Sequence, residues 1–219
     1  MHRHDCLVCT PEDTQTDETV SNRYPTGQSG FNVLELMITL TVAGMVLGLG
    51  IPAFTQFLAI NRMAAAANDL ISSVHTARSE AVKRRQIVTL CASSNWSAAN
   101  PDCDLGGDGW IIFFDADGDV SVDGGDTVIA AHAPLADRVT FDIDPASVRY
   151  IQYGGNGFPR TAGAGTPISN ITLCDDRGDV DTGGGVAAGR WIQIGVTGRP
   201  QLYRMQAEVQ SAANLAGGC

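Results

Sequence analysis

Between Gly30 and Arg62 the chain carries a single charge, Glu35, in a stretch otherwise rich in Leu, Ile, Val, Met and Phe. An apolar helix of roughly 20 residues spans a bilayer, so this run is long enough to cross one. Inside lipid every backbone polar group must be satisfied within the segment, which makes a helix the expected form. A carboxylate in such a helix is costly, and by default it marks function with a partner to be named. No other part of the chain restricts the fold as strongly.

The same helix is expected to run from Phe31 to about Arg85. Pro52 removes one backbone hydrogen bond and is expected to kink it, with Gly44, Gly48 and Gly50 softening the same place. Beyond Ile60 the pattern turns amphipathic, because Met63, Ala67, Leu70, Val74, Ala77 and Ala81 recur at alternating four- and three-residue steps. The opposite surface carries Arg62, Asn68, Asp69, Ser72, Ser79, Lys83 and Arg84, with Glu80 and Arg84 an i,i+4 pair. The apolar stripe needs a cover, and the rest of the chain supplies short β segments.

Strands are expected at Gln86–Cys91, Gly109–Asp115, Asp126–His132, Arg138–Ile143, Val148–Tyr153, Ile168–Cys174, Arg190–Thr197 and Gln201–Met205, separated by turn-prone residues. Asp179–Gly189 is glycine-rich and reads as a mobile loop. The expected fold class is α+β: a long N-terminal helix, transmembrane in its first half, packed on an antiparallel sheet or small β-sandwich. The expected divisions are residues 1–30, 31–60 as the membrane half of the helix, and 61–219 as a globular domain.

The 219 residues carry a net charge of −10, which argues against general affinity for phosphate backbones. The segment before Phe31 holds five acids and two bases, so the remainder carries −7. Cys6 and Cys9 fall in that segment, and Cys91, Cys103, Cys174 and Cys219 lie beyond it. An even set outside the cytoplasm reads as disulfides. Four cysteines allow three pairings, and sequence alone does not choose among them. Cys91–Cys103 with Cys174–Cys219 is the expected set, because the alternatives would cross-link distant strands.

Gly30-Phe31-x-x-x-Glu35 at the head of the apolar helix resembles the type III signal of type IV pilins and type II secretion pseudopilins. Ala77-Arg78-Ser79-Glu80-Ala81-Val82-Lys83-Arg84, followed by Val88-Thr89-Leu90-Cys91, is similar to the GspH/FimT group of minor pilins and pseudopilins. So are Gly109-Trp110-Ile111-Ile112-Phe113-Phe114-Asp115, Leu173-Cys174-Asp175-Asp176-Arg177-Gly178 and Gly198-Arg199. The resemblance implies a leader, residues 1–30, cut by a prepilin peptidase between Gly30 and Phe31, and N-methylation of Phe31. It implies a single-pass bacterial inner-membrane protein with a periplasmic domain, assembling through its helix with other pilins into a pilus or pseudopilus. A place in the tip or priming complex follows from the same likeness. Glu35 would pair with the methylated amine of a neighbouring subunit, and Pro52 would let the helix soften on assembly.

Other constellations compete with these. Asp115, Asp117, Asp119, Asp123 and Asp126 occupy positions 1, 3, 5, 9 and 12 of a calcium-type loop. Val120 stands where that loop needs glycine, so a solvated acidic hairpin competes with a calcium-stabilised surface subunit. Some members of the resembled group bind DNA through a C-terminal G-R-x-R motif. Gly198-Arg199-Pro200-Gln201 keeps the first arginine and lacks the second. A DNA-binding competence pilin would therefore lean on Arg199 and Arg204, with Arg190 if the three cluster. His2, His4, Cys6 and Cys9 offer zinc-type donors, but within a segment that processing discards. That leader is long and acidic, and a start at Val20 would leave Arg23 as its only charge, which suits a membrane signal better. No nucleophile motif or surviving Cys/His pair points to an enzyme. His75 and His132 read as ordinary surface or core residues.

Overall fold

The structure is a computed structural model that describes residues 30–104, 106–136, 138–144, 150–162 and 166–219. His2, His4, Cys6, Cys9, Val20 and Arg23 lie outside the described residues, as do Val148 and Arg149. Two compact units divide between Leu47 and Gly48.

In the first unit, helix α1 begins at Val33. Asn32 caps it, its side-chain oxygen accepting from the Leu34 N–H at 3.3 Å while its carbonyl accepts from Leu36 N. Thr39 and Thr41 return their hydroxyls to the carbonyls of Leu36 and Met37, so neither presents an unmet polar group to an apolar solvent.

α1 ends at Arg84 and is continuous through Pro52. Pro52 offers no N–H to the preceding turn, yet the helical run on either side does not end there. In the second unit its buried residues are Met63, Ala66, Ala67, Leu70, Val74, Ala77 and Ala81, the stripe read from sequence plus Ala66. On the exposed side Arg84 Nε donates to Glu80 at 2.8 Å, and Lys83 does so at 3.3 Å. Arg84, then Lys83, hold the Glu80 carboxyl below its ordinary range.

The helix terminates where Arg85 turns to φ 56° and Gln86 N reaches back to the Ala81 carbonyl at 3.2 Å. This is a Schellman-type end with arginine at the position glycine usually takes. Replacing Arg85 with glycine relieves the left-handed penalty, partly offset by a freer unfolded chain. We expect Arg85→Gly to stabilise by about 0.5–1 kcal/mol, seen as a melting temperature raised by about 2 °C. A lowered melting temperature would refute the strain argument.

Among the described residues nine strands follow: β1 (Val88–Ser93), β2 (Gly109–Phe114), β3 (Thr127–His132), β4 (Val139–Asp144), β5 (Tyr150–Tyr153), β6 (Pro159–Arg160), β7 (Asn170–Asp175), β8 (Val186–Ile194) and β9 (Pro200–Met205). They form two antiparallel sheets, ordered β3-β2-β1-β5-β6 and β4-β7-β8-β9. Alternation assigns the faces. Val88, Leu90, Trp110, Ile112 and Ile151 join the α1 stripe and Ile171, Leu173, Ile192 and Ile194 of the second sheet in one core. Cys91, Ile111, Phe113 and Tyr150 form a second cluster on the other face of the first sheet. Each of β1 and β2 is therefore buried on both sides. Trp110 anchors helix to sheet: its Nε1 donates to Ser73 Oγ at 2.9 Å, and His132 stacks on its ring at 3.9 Å. The disulfides join Cys91 to Cys103 and Cys174 to Cys219, closing loops of 12 and 45 residues' separation.

Three features differ from the sequence reading. Val186–Gly189, expected within a mobile loop, open β8, and Ala187 and Ala188 are buried. The carboxylate of Asp181 accepts from Gly183 N and Gly185 N, tying the glycines into a turn that delivers the strand. β6 is two residues long, too short to register as a period. A short helix α2 (Gln206–Val209) places buried Val209 in a third small cluster with Ala187 and Trp191.

Candidate functional site

α1 presents the strongest functional feature. From Val33 to Phe57 its large apolar side chains are exposed, from 53% at Leu36 to 79% at Leu49. Among the described residues it is the one helix long and apolar enough to cross a membrane. Glu35 is the acid of its first turn, where the helix macrodipole favours a negative charge. Gly30 and Phe31 immediately precede the Asn32 cap, so the expected cleavage point lies just ahead of the first helical turn.

The acidic loop after β2 is built around Asp115, which is fully buried. Its carboxylate accepts from Thr89 Oγ1 at 2.7 Å, Gln152 Nε2 at 3.0 Å, Gly118 N at 2.7 Å and Val120 N at 3.2 Å. Thr89 and Gln152 are paired neighbours on β1 and β5, on the face away from α1. Two strands and the turn thus converge on one carboxylate. One oxygen each from Asp115, Asp117 and Asp119 lie within 4.8 Å of one another. Asp123 and Asp126 do not join that group. Asp126 accepts from Ala116 N and Asp123 N, and Asp123 from Gly125 N, so both close the loop on itself. Val120 adopts φ 69°, the conformation for which glycine was missed in the sequence.

Of the three arginines considered for a phosphate, two are exposed and one is buried. Arg199 and Arg204 are exposed, the first just before β9 and the second within it. Arg190 is 6% exposed, its guanidinium donating to the carbonyls of Ala187, Ala188 and Gly189. Burial, then the charges of Arg204 and Arg177, pull its affinity for the proton below the ordinary arginine value. Arg190 is committed to the β8 backbone and is not available to a phosphate. Sequence reasoning missed that Gly198 lies against the Gly154–Pro159 turn. Tyr153 donates its hydroxyl to the Gly198 carbonyl at 2.9 Å, and burial raises the phenol well above its usual range. A Cβ on Gly198 would sit 2.6 Å from the Tyr153 ring, so glycine is required there.

An exposed apolar helix that continues into an amphipathic half roofed by antiparallel sheets defines a pilin-type subunit. Residues 66–198 match the family described as Type II transport protein GspH, and the chain belongs to that family. It is similar to the type IV minor pilin FimU of Pseudomonas aeruginosa (strain PAO1) in two crystal forms. In space group P21 the identity is 24%, over 65% of this chain and 89% of that one, with a TM-score of 0.44. In space group P65 it is 23%, over 64% and 91%, with a TM-score of 0.41. No curated protein matches. The family and fold are those of structural pilin subunits rather than of known enzymes.

Proposed function

We propose that this chain is a minor subunit of a type IV pilus or a type II secretion pseudopilus, working in the tip or priming complex. Residues 1–30 serve as a leader, 31–60 as the membrane and assembly half of α1, and 61–219 as the periplasmic domain. A prepilin peptidase cuts between Gly30 and Phe31, and Phe31 is N-methylated. The observation that carries this reading is the bare apolar half of α1, residues 33–60, whose only carboxylate, Glu35, lies in the helix's first turn. Such a surface is satisfied by lipid before assembly and by neighbouring helices afterwards. Glu35 then pairs with the methylated amine of an adjacent subunit.

The intact mass of the protein purified from its host tests the processing step. The expected mass is that of a chain starting at Phe31 and carrying one methyl group. A mature N-terminus at any other residue would overturn it.

A further inference from the structure

The chain has 24 acidic and 14 basic residues, yet four of the arginines gather at one place. Arg78 comes from the last turns of α1, Arg85 follows its end, Arg160 lies on β6, and Arg199 on the turn before β9. They meet around the Gly154–Pro159 turn. Arg78 Nε donates to the Gly157 carbonyl at 2.9 Å. The Arg160 side chain lies over Gly154, where a Cβ would sit 3.0 Å from its Cδ. Gly155 rests on the Arg85 backbone, and a Cβ at Gly198 would approach the Gly157 carbonyl to 3.0 Å.

Glu80 neutralises part of the charge on Lys83 and Arg84. Among the described residues no carboxylate forms an ion pair with Arg78, Arg85, Arg160 or Arg199. Exposed apolar groups sit among these cations. Phe158 on the turn is 50% exposed, Val82 beside Gly157 is 49%, and Val196 on the neighbouring turn is 91%. The turn is held by its own Gly157 N to Gly154 carbonyl bond and by Tyr153 beneath Gly198, so the surface is presented without further ordering.

We propose that this face docks an acidic surface of a different pilin-type subunit, with Phe158 as the apolar anchor inside a ring of arginines. The inference rests on the assembly reading above and names where a partner's globular domain is engaged. Aromatic and arginine side chains are the residues enriched at protein interfaces, and the guanidinium fork matches a carboxylate. Phe158, Val82 and Val196 add apolar area that a protein face can bury and a phosphate backbone cannot. Charge complementarity therefore selects a carboxylate-bearing protein face.

The full-length chain carrying a benzophenone photo-cross-linker at position 158, expressed in its own host, tests this. The expected product is a cross-link to another pilin-type subunit, mapped by mass spectrometry to an Asp- or Glu-containing segment. The Arg160→Glu/Arg199→Glu pair should lower its yield about tenfold, and reversing the partner's carboxylate to lysine should restore it. Both arginines are exposed, so an unchanged melting temperature verifies the fold. A cross-link only to nucleic acid, to lipid or to a second copy of this chain would overturn the proposal, as would a yield indifferent to the double reversal. If Glu35→Ala blocks assembly while the double reversal changes nothing, the docking face fails and the assembly reading stands. If neither variant has an effect, both fail.

Discussion

Glu35→Ala is expected to leave the protein inserted in the membrane and its β-domain folded, while assembly with partner pilins is lost. Removing a carboxylate from an apolar segment makes insertion easier, not harder. The fold is not expected to respond either, because Glu35 is exposed and the core is drawn from Met63 onward. Assembly responds strongly. If the neighbour's methylated amine has been taken out of water against Glu35, deleting the carboxylate leaves an uncompensated buried cation, a loss of about 3–5 kcal/mol. That corresponds to roughly a hundred-fold or greater weakening of subunit association. Filament number or secreted-protein output, measured beside membrane-fraction abundance, separates the two effects. Normal output from a well-inserted variant would sink the pairing argument, and loss of insertion would contradict the sign of the lipid term.

Asp115→Ala is expected to be the most damaging single change in the β-domain, at about 4 kcal/mol, or a melting temperature lower by roughly 10 °C. The carboxylate receives four hydrogen bonds in a fully buried position. Alanine would take an acceptor from the buried Thr89 hydroxyl and Gln152 amide and from the half-buried Gly118 and Val120 N–H groups. Asp115→Asn keeps the shape and one acceptor, and should cost about half as much. Asp123→Ala, at an exposed position of the same loop, should cost less than 1 kcal/mol. Equal losses at Asp115 and Asp123 would show that loop order, and not the buried network, sets the stability.

The helix, its stripe and the strand positions were legible because each rests on short-range periodicity. Met63 to Ala81 repeats at helical spacing, and Val139-Thr140-Phe141-Asp142-Ile143 alternates apolar and polar, so both patterns survive without knowledge of the partner surface. What failed was non-local. Val186–Gly189 looked like loop because glycines precede it, and only pairing with neighbouring strands makes it part of β8. Thr89, Asp115 and Gln152 are 26 and 37 residues apart in sequence, and no local pattern joins them. Arg190 seemed available to a ligand until its carbonyl partners were seen. Arg85 and Val120 carry positive φ with side chains that argue against it, since tertiary context overrides local preference.

Taken alone, the amino-acid order determined that this chain has an apolar helix with one charge in it, an amphipathic continuation, and a strand-rich remainder with four cysteines beyond it. Those properties are additive along the chain: hydropathy, helical period and residue chemistry act within a few turns. Tertiary structure alone decided which groups became neighbours. It buried Asp115, withdrew Arg190, and brought Arg78, Arg85, Arg160 and Arg199 around one glycine-rich turn. Such convergence depends on sheet order and on close approach at Gly155 and Gly198, where any Cβ would meet backbone or a buried ring. Contacts of that kind form between segments far apart in the chain, so only the folded packing specifies them.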